Sequence, residues 1–297
     1  MFKFVATADL ATTPMNYRHA FHAGNFADVV KHAVLVRILL HLRSKPAAFR
    51  VIDTHAGAGL YDLAGPEANR SLEWRAGIGR ILTAPIGASA RALLAPYFHA
   101  IASFNAGARV TTYPGSPALA RSFLRPQDRL VACEIEPNAA AALMRHFGCD
   151  RCVRTVTIDG WTALNAYVPP PERRGLVLVD PPFEQAEDFA RLARALEAAC
   201  RKWASGTYLL WYPIKTQNAP DALARRLARA GIPKILRAEL RVAALKEDGP
   251  LGGCGLVVVN PPWTLAGELA TLLPELAATL AVDSKGSHRL DWLAGEG

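Results

Sequence analysis

Short runs of consecutive apolar residues, each closed by an acid or a turn, alternate along this chain with stretches of helical period. Leu176-Val177-Leu178-Val179 is one such run, bounded by Gly175 before it and Asp180-Pro181-Pro182-Phe183 after it. Apolar residues rich in valine between two turn signals predict a strand buried on both faces. Residues 49–52, 129–134, 152–158, 206–213, 235–242 and 255–259 are predicted as further strands. Helices are predicted over 138–147, 186–204 and 219–230, and over 26–43 near the front, with Asn25 as N-cap and Pro46 beyond the end. Strand–helix alternation of this kind predicts an α/β fold around a largely parallel sheet.

One gap interrupts the alternation. A simple βαβ unit places an acid about 20 residues after its Gly-rich loop, whereas here the loop Asp53-Thr54-His55-Ala56-Gly57-Ala58-Gly59 is answered only at Glu134. Pro114-Gly115-Ser116-Pro117 opens a short helix over 118–124, with Ser116 as N-cap and Pro117 at the first helical position. Taking it as the crossover helix makes residues 60–113 an insertion. Helical character over 74–82 and 89–104 predicts a small inserted helical subdomain between the two parts of the main domain, 15–59 and 114–297. Residues 1–14 have no consistent period and are expected to be an N-terminal extension, with Met15 an equally good start.

Composition narrows the class. Of 297 residues, 51% are hydrophobic and 20% charged, which excludes a disordered chain. Lys plus Arg number 34 against 26 Asp plus Glu, a net charge of +8 that suits a polyanionic partner. Five scattered cysteines argue for a reducing cytoplasm and against a disulfide framework. Cys149 and Cys152 form a single C-x-x-C with no second pair to complete a zinc site, so no metal is expected. The longest nearly apolar run, 29–42, is too short to span a bilayer and carries Lys31, His32, Arg37 and His41, so no membrane segment is expected.

The chemistry gathers at the strand ends. Open α/β sheets bind ligands beyond the carboxyl ends of their strands, and Asp53, Glu134, Asp159-Gly160 and Asp180 all stand at such ends. Glycines 57 and 59 let backbone approach a ligand closely, in a spacing that differs from the dinucleotide fingerprint and resembles the loop of methyltransferases using S-adenosylmethionine. Glu134 suits ribose hydroxyls, and Asp159 with the Gly160 backbone suits an adenine amine. At Asp180 a carboxylate, the stiffly held Pro181 carbonyl and the Phe183 ring together fit a planar base with an exocyclic amine. Asn260-Pro261-Pro262-Trp263 nearly copies that motif. It follows a strand expected to lie antiparallel, which would deliver it to the wrong edge, so Asp180 is taken as the site and Asn260 as a structural turn. The arginines 225, 226 and 229 of the 219–230 helix read as a solvated face.

Y-R-H-A-F-H-A-G-N-F-A-D-V-V-K-H at 17–32, D-T-H-A-G-A-G at 53–59, Y-P-G-S-P at 113–117, D-P-P-F at 180–183, L-W-Y-P at 210–213 and N-P-P-W at 260–263 together resemble the bacterial 23S ribosomal RNA adenine-N6 methyltransferases of the large-subunit type J family. The likeness runs from Tyr17 to about Trp292, and Phe183 stands where tyrosine is common. It implies a Rossmann-like class I methyltransferase fold, S-adenosylmethionine as cofactor and 23S rRNA as partner, with the chain acting as a monomer in the cytoplasm. It implies Asp180 as catalytic acceptor. His32, His55, Ser116, Glu134, Asp159, Gly160 and Asp180, with Gly57 of the loop, would line the cofactor site. Tyr17, His19 and Lys31 would serve the RNA, making the 17–25 stretch an ordered arm and not a loop that only satisfies itself. Two other readings of the same residues are an amino-methylating enzyme acting on DNA adenine or protein glutamine, and an RNA-binding module without catalysis.

Overall fold

In a computed structural model the described residues are 19–295, apart from 108, 186, 248 and 283–285. The expected extension over 1–14 and Tyr17 lie outside them. Among the described residues ten strands form: β1 (Arg50–Asp53), β2 (Leu60–Asp62), β3 (Thr112–Pro114), β4 (Arg129–Glu134), β5 (Val153–Thr157), β6 (Gly175–Val179), β7 (Thr207–Ile214), β8 (Ile235–Arg241), β9 (Gly253–Val259) and β10 (Ser287–Ala294). Eight of them make one sheet in the order β10-β8-β9-β7-β6-β1-β4-β5. From β7 to β5 every pairing is parallel, while β9 runs antiparallel to both of its neighbours.

The helices are α1 (Phe26–Arg43), α2 (Pro66–Ser71), α3 (Arg80–Thr83), α4 (Ala88–Ser103), α5 (Ser116–Phe123), α6 (Pro137–Phe147), α7 (Gly160–Tyr167), α8 (Asp188–Lys202), α9 (Asn218–Ala228) and α10 (Leu265–Leu280). Period-2 alternation sends the sheet's side chains to its two faces. Leu176 and Leu178 of β6 join a core with α1, α4, α5 and α10, while Val177 and Val179 join another with α8 and α9. Helix α1 is buried on nearly every face. Asn25 caps it as expected, accepting from the amides of Ala27 (2.9 Å) and Asp28 (3.1 Å).

Residues 60–113 leave and return at one place. β2 pairs antiparallel with β3, and the Gly115 amide donates to Gly59 O at 2.9 Å. The excursion between them therefore closes on itself and leaves the β1–β4 pairing undisturbed. Its apolar side chains, among them Ile78, Ile81, Leu94 and Tyr97, belong to the same core as α1. Helix α5 starts one residue earlier than expected, with Gly115 as N-cap and Ser116 already helical.

Several elements differ from the expectation. The chain does not finish at the 255–259 strand: α10 and β10 follow, and β10 adds an antiparallel edge strand to β8. Helix α7 was not anticipated either. Asp159 caps it by accepting from the Thr162 amide at 2.9 Å, so the acid that ends the β5 segment also starts a helix.

Asn25 both caps α1 and donates through Nδ2 to Glu73 at 3.0 Å. Asn25→Ala is expected to lower unfolding stability by about 1–2 kcal/mol, read as a fall in the urea midpoint at unchanged slope.

Candidate active site

The parallel strands deliver Asp53, Glu134, Asp159 and Asp180 to one sheet edge, on either side of the point where strand order reverses between β6, β1 and β4. There a cleft of about 640 Å³ opens, lined by His19, Lys31, His32, His55, Gly57, Ser116, Glu134, Asp159, Gly160, Asp180 and Pro181. That volume suits a small molecule of nucleoside size.

Glu134 anchors the Gly loop. Its Oε2 accepts from the Gly57 amide at 2.8 Å, and its Oε1 accepts from the amides of Ile135 and Glu136, both at 2.8 Å. A carboxylate offers about four acceptor sites, so one remains on Oε2 for a ligand. Gly57 has φ +61°, and a Cβ there would lie 2.1 Å from the Tyr61 hydroxyl oxygen. Gly160 is needed for space alone, since a Cβ would come within 2.4 Å of His55 Nε2 and Thr54 O. Asp159 spends Oδ2 on the Thr162 amide and hydroxyl, while Oδ1 has no hydrogen bond among the described residues.

The acids differ in charge state. Asp53 is 1% exposed and neither carboxylate oxygen has a hydrogen-bond partner among the described residues. Burial pushes its carboxyl up to about 7, against the influence of Ser116 and with that of the Asp180 charge. Lys31 is 4% exposed and forms ion pairs with Asp180 and, at 2.8 Å, with Asp28. Burial works against its charge, but those two carboxylates hold the ammonium well above the usual lysine value. Burial also keeps two imidazoles neutral, His32 at about 3 and His55 at about 4. His32 Nδ1 meets the Tyr113 hydroxyl at 2.8 Å, which meets that of Tyr97 at 2.8 Å. His55 Nδ1 meets Thr54 Oγ1 at 2.8 Å.

Two placements differ from the roles expected. Lys31 was expected to serve the RNA substrate or its positioning; its ammonium is buried and aimed at Asp180, so of the two only positioning fits this geometry. Phe183 is not among the residues lining the cleft. Its backbone turns through φ +52°, and its ring packs on Phe189 (4.8 Å between centroids) and Trp211 (5.8 Å). His19 does line the cleft, with Nε2 3.1 Å from Asp28 Oδ2. The antiparallel run of β9 pairs Val259 with Tyr208 at the start of β7, so Asn260 emerges at the edge opposite Asp180. There its Nδ2 donates to Ala204 O and Gly206 O.

The sequence reading passed over Asp28, Ile135, Trp161 and Arg191. Ile135, directly after Glu134, is 49% exposed. Trp161 stands edge-on to His55, with the Arg191 guanidinium 4.8 Å from its ring centre. An apolar residue within two positions after a strand-end acid was the signal available for Ile135, after Glu134, and for Trp161, after Asp159.

A sheet of this order, parallel from β7 to β5 with β9 inserted antiparallel between β7 and β8, a Gly loop after its first strand and acids on the carboxyl ends defines the class I S-adenosylmethionine-dependent methyltransferases. Within that class the chain belongs to a family described as ribosomal RNA large subunit methyltransferase D, RlmJ, whose model matches residues 46–294. Two proteins named ribosomal RNA large subunit methyltransferase J are similar to it. The one from Haemophilus influenzae is 37% identical over 283 residues and the one from Escherichia coli 36% over 282; each match covers 95% of this chain and 100% of the relative. The crystal structure of protein LPL1258 from Legionella pneumophila superposes with a TM-score of 0.82 at 33% identity, covering 91% of this chain and 98% of that one.

Asp53 generates a pH prediction. Its raised value means that the folded protein keeps a proton which the unfolded chain releases near pH 4, so the Asp53 contribution to stability should fall as pH rises from about 4 to about 7, against the gain that the neutral His32 and His55 bring over about pH 4 to 6.5. Asp53→Asn should remove that fall, gaining melting temperature over the parent as pH increases. Parallel curves for the two proteins would contradict the assignment.

Proposed function

We propose that this protein transfers a methyl group from S-adenosylmethionine to the N6 amine of one specific adenine in 23S rRNA, as a monomer in the cytoplasm. The observation that carries the reading is Asp180-Pro181 at the carboxyl end of β6, in the same cleft as Glu134 and Asp159. Family membership favours ribosomal RNA over DNA adenine or protein glutamine.

The residues fit the cofactor. The acceptor site left on Glu134 suits a ribose hydroxyl, and Asp159 Oδ1 with the Gly160 backbone suits the adenine amine between Ile135 and Trp161. Asp53 lies against Ser116, a cleft residue, and adds a negative charge that favours a cation once its proton has left, at and above about pH 7. Neutral His32 and His55 add none that would repel a sulfonium. When bound, the cofactor supplies an electrophilic methyl group.

The chain's own task is to make a poor nucleophile attack. The lone pair of adenine N6 is delocalised into the ring. Asp180 and the Pro181 carbonyl would accept hydrogen bonds from N6–H and favour the geometry in which that pair is localised on nitrogen. Pro182 has no N–H to compete for those acceptors. Positive charge develops on nitrogen as the bond forms, and Asp180 faces it as a fixed anion. The target base must leave its stack, at a cost of roughly a few kcal/mol, and the net charge of +8 favours the RNA that presents it.

Glu134→Ala is expected to weaken cofactor binding at least about tenfold, the loss of one charge-assisted hydrogen bond, with the Gly loop loosened as well. Unchanged affinity in calorimetry would remove Glu134 from the site. Asp180→Ala should abolish methyl transfer to 23S rRNA while the protein stays folded. Asn260→Ala should cost some stability and leave transfer largely intact. A folded, cofactor-binding but inactive Asn260→Ala protein would overturn the choice between the two Pro-Pro turns.

A further inference from the structure

Asp28 is none of the strand-end acids, yet it is 2% exposed and touches Lys31 and His19, both of which line the cleft. Its Oδ1 accepts from Lys31 Nζ at 2.8 Å, and its Oδ2 accepts from the Gly24 amide at 2.9 Å and lies 3.1 Å from His19 Nε2. Lys31 in turn pairs with Asp180. One buried ammonium is thus shared between the buried Asp28 carboxylate and the partly exposed Asp180 carboxylate.

The sharing matters for charge. A lone Lys31–Asp180 pair would sum to zero and offer little to an amine becoming positive. Lys31, Asp28 and Asp180 together carry one surplus negative charge, which a protonated His19 would offset at the Asp28 end and not at Asp180, in surroundings where charges act strongly on one another. Resting on the reading of Asp180 as the catalytic acceptor, we propose that Asp28 is a positioning residue for methyl transfer. By sharing Lys31 it holds the ammonium so that it orients the Asp180 carboxylate without neutralising it.

A proton relay from Asp180 through Lys31 to Asp28 and His19 uses the same contacts, and the charge states exclude it. Burial opposes both charges, but Asp180 and Asp28 hold Lys31 well above its ordinary value, and Lys31 and His19 hold Asp28 well below its own. Moving the proton from the ammonium to that carboxylate is steeply uphill, so both groups act as fixed charges.

The test is a double-mutant cycle of Asp28→Asn and Lys31→Met. Each variant is assayed for kcat and KM with 23S rRNA, for binding of S-adenosylhomocysteine and for melting temperature. Asp28→Asn should lower kcat about tenfold or more with KM and S-adenosylhomocysteine affinity nearly unchanged. In the Lys31→Met background the same change should alter kcat less than about twofold, because a residue acting through Lys31 has nothing left to act on. A kcat for Asp28→Asn within about twofold of the parent, or an equal further loss in the Lys31→Met background, overturns the proposal. Should Asp28→Asn be too unstable to assay, melting temperatures decide: the double variant must melt above Asp28→Asn, since it no longer buries a half-paired ammonium, and additive losses overturn it. Asp180→Ala separates the two readings. If that variant is active the assignment of the site fails, whereas if it is dead and Asp28→Asn is normal only the role of Asp28 fails.

Discussion

The burial of one lysine ammonium ties the front of the chain to its catalytic turn. A cation with no access to water is strongly disfavoured unless carboxylates surround it, and Lys31 meets that requirement with Asp28 from its own helix and Asp180 from a position 149 residues later. The constraint fixes how α1 lies on the sheet. Its N-terminal turn must sit over the carboxyl end of β6, which places His19 and His32 in the same cleft. The capping of α1 by Asn25, the tie from Asn25 to Glu73 and the tyrosine pair behind His32 all hold that helix end still. The site is therefore assembled from two directions: acids from the strand ends, and one cation from the helix laid across them.

Three of the strands that build this edge, β1, β4 and β6, were legible in the sequence because they are buried on both faces. Continuous apolar runs such as 176–179 and 130–133 are the mark of strands covered on both faces in an α/β chain. β10 escaped for the opposite reason. As an edge strand it pairs on one side only, and Ser287, His288 and Arg289 are exposed, so its composition resembles a loop. α7 is short, and its start is marked by the same Asp159 that reads as the end of a strand. α10 carries Pro274 inside it, which breaks the simple helical signal, although its leucines pack into the core with α1.

In the site, the acids could be placed from sequence because a strand end fixes where a side chain emerges. The direction of Lys31 could not. α1 is buried almost all round, so no polar face marks which way a given residue points. Phe183 misled for a local reason: adjacent prolines predict a stiff turn, but a positive φ at the next residue sends the ring sideways into Phe189 and Trp211. The second Pro-Pro turn was separable by chain order alone, because one antiparallel strand carries it to the far edge of the sheet.

The central claim, an adenine amine in 23S rRNA methylated at Asp180, is tested most directly on the RNA itself. Nucleoside mass spectrometry would be applied to 23S rRNA from the parent strain and from one lacking this gene. The account predicts that one N6-methyladenosine disappears and that treating the unmethylated RNA with purified protein and S-adenosylmethionine restores it at the same residue. An unchanged N6-methyladenosine content in the deletion strain would contradict it.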